Sequence, residues 1–172
     1  MNRRQTLVGL SALAGHVLFP QVLEHLAVTV RALAQGDRDW RPEVLSPAQG
    51  RLLAEVVDTI LPATDTPGAK AANVHVFVDL MLAHCVSADG QKAVPGALDA
   101  IAPGFMTAPT TDRIAQLERM DAPALALLKE LTLLGYFTSE IGATQALAYD
   151  RVPGAYRGCI PLAPNQRAWA TR

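Results

Sequence analysis

The sequence predicts an all-α fold, a small irregular helical domain that ends in a long, loop-rich, aromatic tail. In several segments apolar residues recur at intervals of three and four positions, and no segment alternates apolar and polar residues over a useful length. Serine, aspartate and proline also stand where they start helices well. The 172 residues suit one domain with a core of its own. We expect an N-terminal signal or helical segment over 1–34 and the helical domain over 35–172.

The N-terminus has the pattern of an export signal. Arg3 and Arg4 precede an apolar run over 7–19, an arrangement typical of twin-arginine signals, which carry folded cargo. The run is too short to span a bilayer as a helix. Ala32 and Ala34, on either side of Leu33, give the small-x-small pattern of a cleavage site, although charged residues lie between it and the run. An amphipathic N-terminal helix with two solvated arginines is the alternative.

The first helix of the domain is predicted over 46–61. Ser46 is the expected N-cap, Pro47 occupies the first helical position and Pro62 ends the helix. The segment 63–68 is then a tight turn. The predicted buried stripe comprises Leu52, Leu53, Val56, Val57, Ile60 and Leu61.

Three further segments complete the predicted helices. A helix over 71–84 has one apolar face, made of Val74, Phe77, Val78, Met81 and Leu82. The glycines and prolines of 87–109 allow no more than a short helix or an irregular loop. A helix beginning at Thr111 continues through Ile114, Leu117 and Met120. The last helix has Asp121 as its N-cap, and along one side it places Leu125, Leu128, Leu131 and Leu134.

Composition narrows the possible partners. The net charge of −1 gives no reason to expect nucleic acid as a partner. Half of the residues are apolar and only 18% are charged, so part of the surface is expected to serve a partner. Cys85 and Cys159 are too few for a disulfide scaffold and lack metal-ligand spacing. An intramolecular bridge, a bridge to a partner and two free thiols all remain open.

Residues with catalytic or metal-binding chemistry are scattered. His75 and His84 lie on opposite sides of one predicted helix, so that helix alone cannot bring them to one metal. No glycine-rich phosphate loop is present. Turn stabilisation is favoured over acid–base chemistry for Asp58, Asp65 and Asp79. Ser139 and Glu140 lack a nucleophile elbow. We expect no catalytic, cofactor-binding or metal-binding residue in this chain.

The tail over 134–161 is the most informative segment. It contains four of the nine aromatic residues, together with glycines and prolines that prevent a long helix beyond about Leu147. Aromatic side chains are costly to leave in water. The tail is therefore expected to lie across its own domain or another chain, as a docking surface.

Several segments resemble the gluconate 2-dehydrogenase subunit 3 family. The resemblance extends over about 42–170, and its specific parts are the turn sequence LPATDTPGA and the tail sequence GYFTSEIGA. The segments that carry it are Leu45–Pro47, Ile60–Ala69, Val74–Leu82, Gly135–Ala143 and Val152–Gly154.

This resemblance implies a non-catalytic γ-type subunit of a periplasmic, FAD-dependent sugar or polyol dehydrogenase. FAD would lie in a large partner of the glucose–methanol–choline oxidoreductase type, and heme c in a third, cytochrome subunit. The small subunit would escort the folded flavoprotein through the twin-arginine translocase, and the complex could keep it at the membrane. The aromatic residues expected at the interface are Tyr136, Phe137, Tyr149, Tyr156 and Trp169, although Tyr136 and Phe137 could instead belong to the chain's own core.

Two other functions stay open from the sequence. One is a self-sufficient small exported hydrolase that uses Ser139 or Asp65. The other is a membrane-attached scaffold anchored by an uncleaved N-terminal helix.

Overall fold

The structure is a computed structural model. It describes residues 40–152, 154, 155, 159, 161 and 164–170. The chain divides between Trp40 and Arg41, and the helices belong to the unit that begins at Arg41. The predictions on Arg3 and Arg4, on the signal segment 1–34 and on Tyr156 lie outside the described residues.

The described residues form a helical domain, which confirms the all-α prediction. Its five α-helices are α1 (Pro47–Ile60), α2 (Val74–His84), α3 (Ala88–Asp99), α4 (Thr110–Glu118) and α5 (Ala122–Thr138). A 3-10 turn, Phe105–Thr107, precedes α4, and a π-helical turn, Gly142–Ala146, follows α5. Within these ranges extended pairing is limited to an isolated parallel bridge between Ala148 and Trp169.

The starts of α1 and α5 follow from local capping chemistry. The Gln49 amide donates to the Ser46 hydroxyl at 3.2 Å, and the Ser46 amide donates to the Gln49 side chain at 2.9 Å. This reciprocal pair satisfies two helix-start donors, and Pro47 follows at the first helical position. The Asp121 carboxylate likewise accepts from the Ala124 amide at 3.2 Å. Both predicted N-caps are confirmed.

Helix α2 begins later than predicted and is buried more widely. Asn73 has a φ of +54°, a left-handed conformation that breaks the helix expected from Ala71. Beyond it, apolar side chains on both sides of the helix are buried, namely Val74, Val76, Val78, Leu80 and Leu82. The single apolar face predicted for this segment was too narrow, because α2 lies inside the domain.

Helix α3 is longer and more regular than the sequence predicted. It runs through Pro95 and Gly96, which predicted an interruption. Its buried residues Val94 and Leu98 supply the compensating packing, and the Gln49 side chain donates to the Pro95 carbonyl at 3.3 Å. The sequence does contain an apolar pattern at positions i, i+3, i+4 and i+7 that indicates a helix here, formed by Val94, Ala97, Leu98 and Ile101.

Helix α5 packs against α1, α2 and α3 and closes the core. A Cβ on Gly135 would lie 2.6 Å from the Phe77 ring, so this glycine permits a close approach of α5 to α2. Leu128 and Leu131 are buried, whereas Leu134 is 45% exposed. The prediction that four leucines share one side of α5 is wrong at Leu134, because residues three positions apart are offset by about 60° around a helix.

Candidate docking surface

The C-terminal half of α5 presents apolar side chains to solvent. Leu133, Leu134 and Phe137 are 44%, 45% and 40% exposed. These positions lie within about 100° on the helix, so they form one face. We call this face the α5 surface. Contiguous exposed apolar groups of this kind mark interaction sites in soluble proteins.

A groove continues from this surface between α4 and α5. Its volume is 340 Å³, and it is lined by Thr59, Ile60, Ile114, Leu117, Glu118, Leu125, Lys129 and Leu133. We call it the α4–α5 groove. Leu133 belongs both to the groove and to the α5 surface. The groove and the α5 surface therefore form one continuous apolar region, with the opposite charges of Glu118 and Lys129 beside it.

The chain turns sharply at the end of α5. The Ser139 hydroxyl donates to the Tyr136 carbonyl at 2.6 Å and accepts from the Gly142 amide at 3.0 Å. The π-helical turn then packs back so closely that a Cβ on Gly142 would collide with the Tyr136 carbonyl. The hydroxyl of Ser139 thus fixes the direction in which the tail leaves the helix.

The base of the tail is closed by the C-terminal residues. The Ala148 amide donates to the Ala168 carbonyl at 2.8 Å, and the Ala170 amide donates to the Ala148 carbonyl at 2.9 Å. The Arg167 guanidinium also donates to the Gln145 carbonyl at 2.7 Å. The segment 149–167, which we call the tail loop, is therefore held at both ends.

The predicted interface residues separate into surface and core. Phe137, Tyr149 and Trp169 are exposed at 40%, 49% and 38%. Tyr136 is only 2% exposed, and its hydroxyl donates to the Pro67 carbonyl at 2.7 Å. Tyr136 is thus a core residue and not an interface residue, because its ring is buried in the hydrophobic core and its hydroxyl donates to a backbone carbonyl of the same domain.

The two most specific segments of the family resemblance, the turn and the tail sequences, contact each other through this hydroxyl. The turn segment over 60–69 is closed by a hydrogen bond from the Ala69 amide to the Leu61 carbonyl at 2.9 Å. Tyr136, from the tail segment, then binds Pro67 in the turn. The turn and the end of α5 are therefore one structural unit.

Asp79 has a structural position that the sequence did not reveal. It is 0% exposed, and its carboxylate accepts from the backbone amides of Glu43 at 2.7 Å, Leu45 at 3.2 Å and Val44 at 3.3 Å. Three donors compensate the burial of its charge. Asp79 fixes the segment that leads into the N-cap of α1.

The other candidate polar residues also have local partners. The Thr64 hydroxyl donates to the Asp65 carboxylate at 2.8 Å, and the Asp58 carboxylate accepts weakly from the Lys70 amide at 3.4 Å. His75 is buried, while His84 lies 3.0 Å from the Glu43 carboxylate. Within the described part of the chain, histidine, cysteine and acidic side chains form no group of three that could hold a metal.

The two cysteines, Cys85 and Cys159, are exposed free thiols. Of the three states that the sequence left open, the structure has the unbridged one. A bond from either thiol to a cysteine of a partner stays a prediction. No helix in the described ranges is both long enough and apolar enough to cross a membrane.

Comparison with known proteins places the helical domain in a family. The model of the family described as gluconate 2-dehydrogenase subunit 3 matches residues 47–154, which include all five α-helices, the π-helical turn and the start of the tail loop. The comparisons with curated proteins and with solved structures gave no match. The matched segment covers more than half of the chain and contains the turn and tail segments that meet at Tyr136, so the chain belongs to the gluconate 2-dehydrogenase subunit 3 family.

Proposed function

We propose that this chain is a non-catalytic accessory subunit that binds, stabilises and escorts an FAD-dependent sugar dehydrogenase of the glucose–methanol–choline type. The family name describes a subunit of a dehydrogenase complex. The observation that carries the proposal is the α5 surface, where Leu133, Leu134 and Phe137 lie exposed side by side. FAD is then bound by the large partner, and heme c by a cytochrome subunit that accepts the electrons.

The exposed apolar groups supply binding energy without any catalytic chemistry. Burying the exposed portion of each side chain on the α5 surface would contribute about 1 kcal/mol, since full burial of such a side chain contributes about 1.5–3 kcal/mol. Tyr149 and Trp169, at the base of the tail loop, add aromatic anchors of the kind that concentrate binding energy. A permanent complex needs about 2,000 Å² of buried surface or more, so the α5 surface and the tail loop would both take part.

Export is the second half of the proposal. Arg3 and Arg4 before an apolar run support a twin-arginine signal, and that route accepts a partner already folded around FAD. The accessory chain would carry the signal for both subunits. The complex would then reach the periplasm, where it could stay associated with the membrane through its cytochrome subunit.

Co-expression with the flavoprotein subunit tests the docking half. Leu134→Asp places a charge on the α5 surface and is expected to reduce co-purification at least tenfold, whereas Met106→Asp, also at an exposed apolar side chain, should leave it unchanged. Met106 lies in the 3-10 turn before α4, outside the α5 surface. Equal recovery of the flavoprotein with wild type and Leu134→Asp would refute docking through this surface.

Export is tested separately with Arg3 and Arg4 changed together to lysine. The flavoprotein should then remain in the cytoplasm with FAD bound, while the two subunits still co-purify. A flavoprotein that reaches the periplasm equally well with this variant, or without the accessory chain, would refute the escort role.

A further inference from the structure

The α4–α5 groove has features of a binding site for another helix. Its apolar lining comes from three elements, represented by Ile60 at the end of α1, Ile114 on α4 and Leu125 on α5. Along α5 it extends from Leu125 to Leu133, a distance of about 12 Å at 1.5 Å per residue. Such a length matches two apolar residues seven or eight positions apart on an amphipathic helix.

Two charged side chains beside the groove have no partner within the described part of the chain. Glu118 on α4 and Lys129 on α5 both line the groove, yet neither side chain forms an ion pair or hydrogen bond with the described residues. Opposite charges that line one groove and leave each other unpaired are available to a ligand. They favour an occupant with a basic residue on the α4 side and an acidic residue on the α5 side.

The groove also distinguishes a helix from an extended peptide. An extended segment gains affinity from main-chain hydrogen bonds to the edge of a sheet. The walls here are α-helices, whose interior backbone groups are already bonded within each helix. A helix brings its own backbone bonds and needs only side-chain contacts, so it suits these walls better.

We propose that the α4–α5 groove receives an amphipathic helix of the large flavoprotein subunit, with apolar residues in the groove, a basic residue at Glu118 and an acidic residue at Lys129. This inference rests on the proposed function, because it assigns the occupant to the same partner. Leu133 links the groove to the α5 surface, so the helix would form one edge of a larger interface. A second copy of this chain is the competing occupant.

Site-specific photo-crosslinking in the co-expressed complex identifies the occupant. A benzophenone amino acid at Lys129 is expected to crosslink to a flavoprotein peptide with apolar residues at i, i+3 or i+4, and i+7. The same amino acid at Lys92, an exposed residue of α3 outside the groove, should give at least about fivefold less of that product. A crosslink from Lys129 to a second copy, to an extended flavoprotein segment, or to nothing in an intact complex would overturn the groove assignment and leave the proposed function standing. Absence of any complex with the wild-type chain would overturn both.

Substitutions in the groove give an independent measurement of affinity. Ile114→Asp is expected to weaken association at least tenfold, since it removes an apolar contact and places a charge in the groove. Glu118→Lys should weaken it about fivefold, and reversing the charge of the basic residue in the crosslinked peptide should restore it. Ile114 is 44% exposed, so the thermal unfolding of the isolated variant should remain near that of the wild type. Unchanged affinity for both variants would exclude a helix in the groove.

Discussion

Replacement of Asp79 by asparagine should destabilise the domain by about 3 kcal/mol. One carboxylate oxygen of Asp79 accepts from the Glu43 amide at 2.7 Å, and the other accepts from the amides of Val44 and Leu45. Asparagine has only one acceptor oxygen, so its NH₂ group would face at least one backbone N–H. A hydrogen bond to a charged group contributes about 1.5–3 kcal/mol, and a buried donor left unpaired costs about 1–3 kcal/mol.

Urea unfolding followed by circular dichroism measures this loss. For a domain of this size, 3 kcal/mol corresponds to a melting temperature lower by about 12 °C. Asp65→Asn is the matched control, since Asp65 is exposed and, among the described residues, accepts a hydrogen bond only from Thr64. It should change stability by less than about 0.5 kcal/mol. Amide hydrogen exchange at residues 43–45 should accelerate in Asp79→Asn alone. If Asp79→Asn were as stable as the wild type, or if these amides kept their protection from exchange in the variant, the role assigned to the carboxylate would be refuted.

Three further perturbations test the packing and charge contacts of the domain. Gly135→Ala puts a methyl group 2.6 Å from the Phe77 ring and should cost about 1–3 kcal/mol in urea unfolding; no loss would mean that α2 and α5 can separate freely. Tyr136→Phe leaves the Pro67 carbonyl without its donor and should cost about 1 kcal/mol, and equal stability would contradict a contribution from this bond. The pKa of Glu55 is lowered from its usual 4.5, chiefly by the hydrogen bond that its carboxylate accepts from Lys70. The nearby Arg113 guanidinium lowers it further. A lowered pKa stabilises the fold above about pH 4.5, and this stabilisation is lost as pH falls through the pKa of the folded state. Glu55→Gln should therefore flatten the acid side of the curve of unfolding free energy against pH. A curve identical to that of the wild type would refute the linkage.

The helix starts were predictable because their chemistry is local. Ser46 and Asp121 bond amides three residues ahead, and that spacing is visible in the sequence. Helix α3 was not predictable in the same way, since Pro95 and Gly96 are unfavourable in any helix considered alone. The apolar pattern that begins at Val94 favoured a helix, but the burial of Val94 that offsets the proline and the glycine depends on tertiary packing, which the pattern does not specify.

The sequence predicted exposed aromatic residues near the end of α5, but it did not separate the exposed residues from the buried ones. Aromatic composition pointed to the tail, yet it could not separate Tyr136 from Phe137, which are adjacent in sequence and about 100° apart on α5. Which of the two faces the core depends on how α5 packs against α2 at Gly135. The exposed Leu133 and Leu134 were missed, although α5 contains more leucines than one buried face can accommodate, and that excess was the available signal.

The residues that identify the family and the residues that would bind the partner have different physical roles. The turn and tail segments meet where Tyr136 binds Pro67, and Gly142 permits the sharp turn after α5. These contacts are internal, so they specify the scaffold and would be required whichever dehydrogenase is bound. The side chains of Leu134 and Phe137 each have about 40% or more of their surface in solvent, although the Phe137 ring also packs edge-on against the Tyr136 ring at 5.3 Å. Selection of one flavoprotein over another should therefore reside in the exposed positions of α5, the groove and the tail loop, and exchanging those positions between family members should transfer partner choice while leaving the helical domain intact.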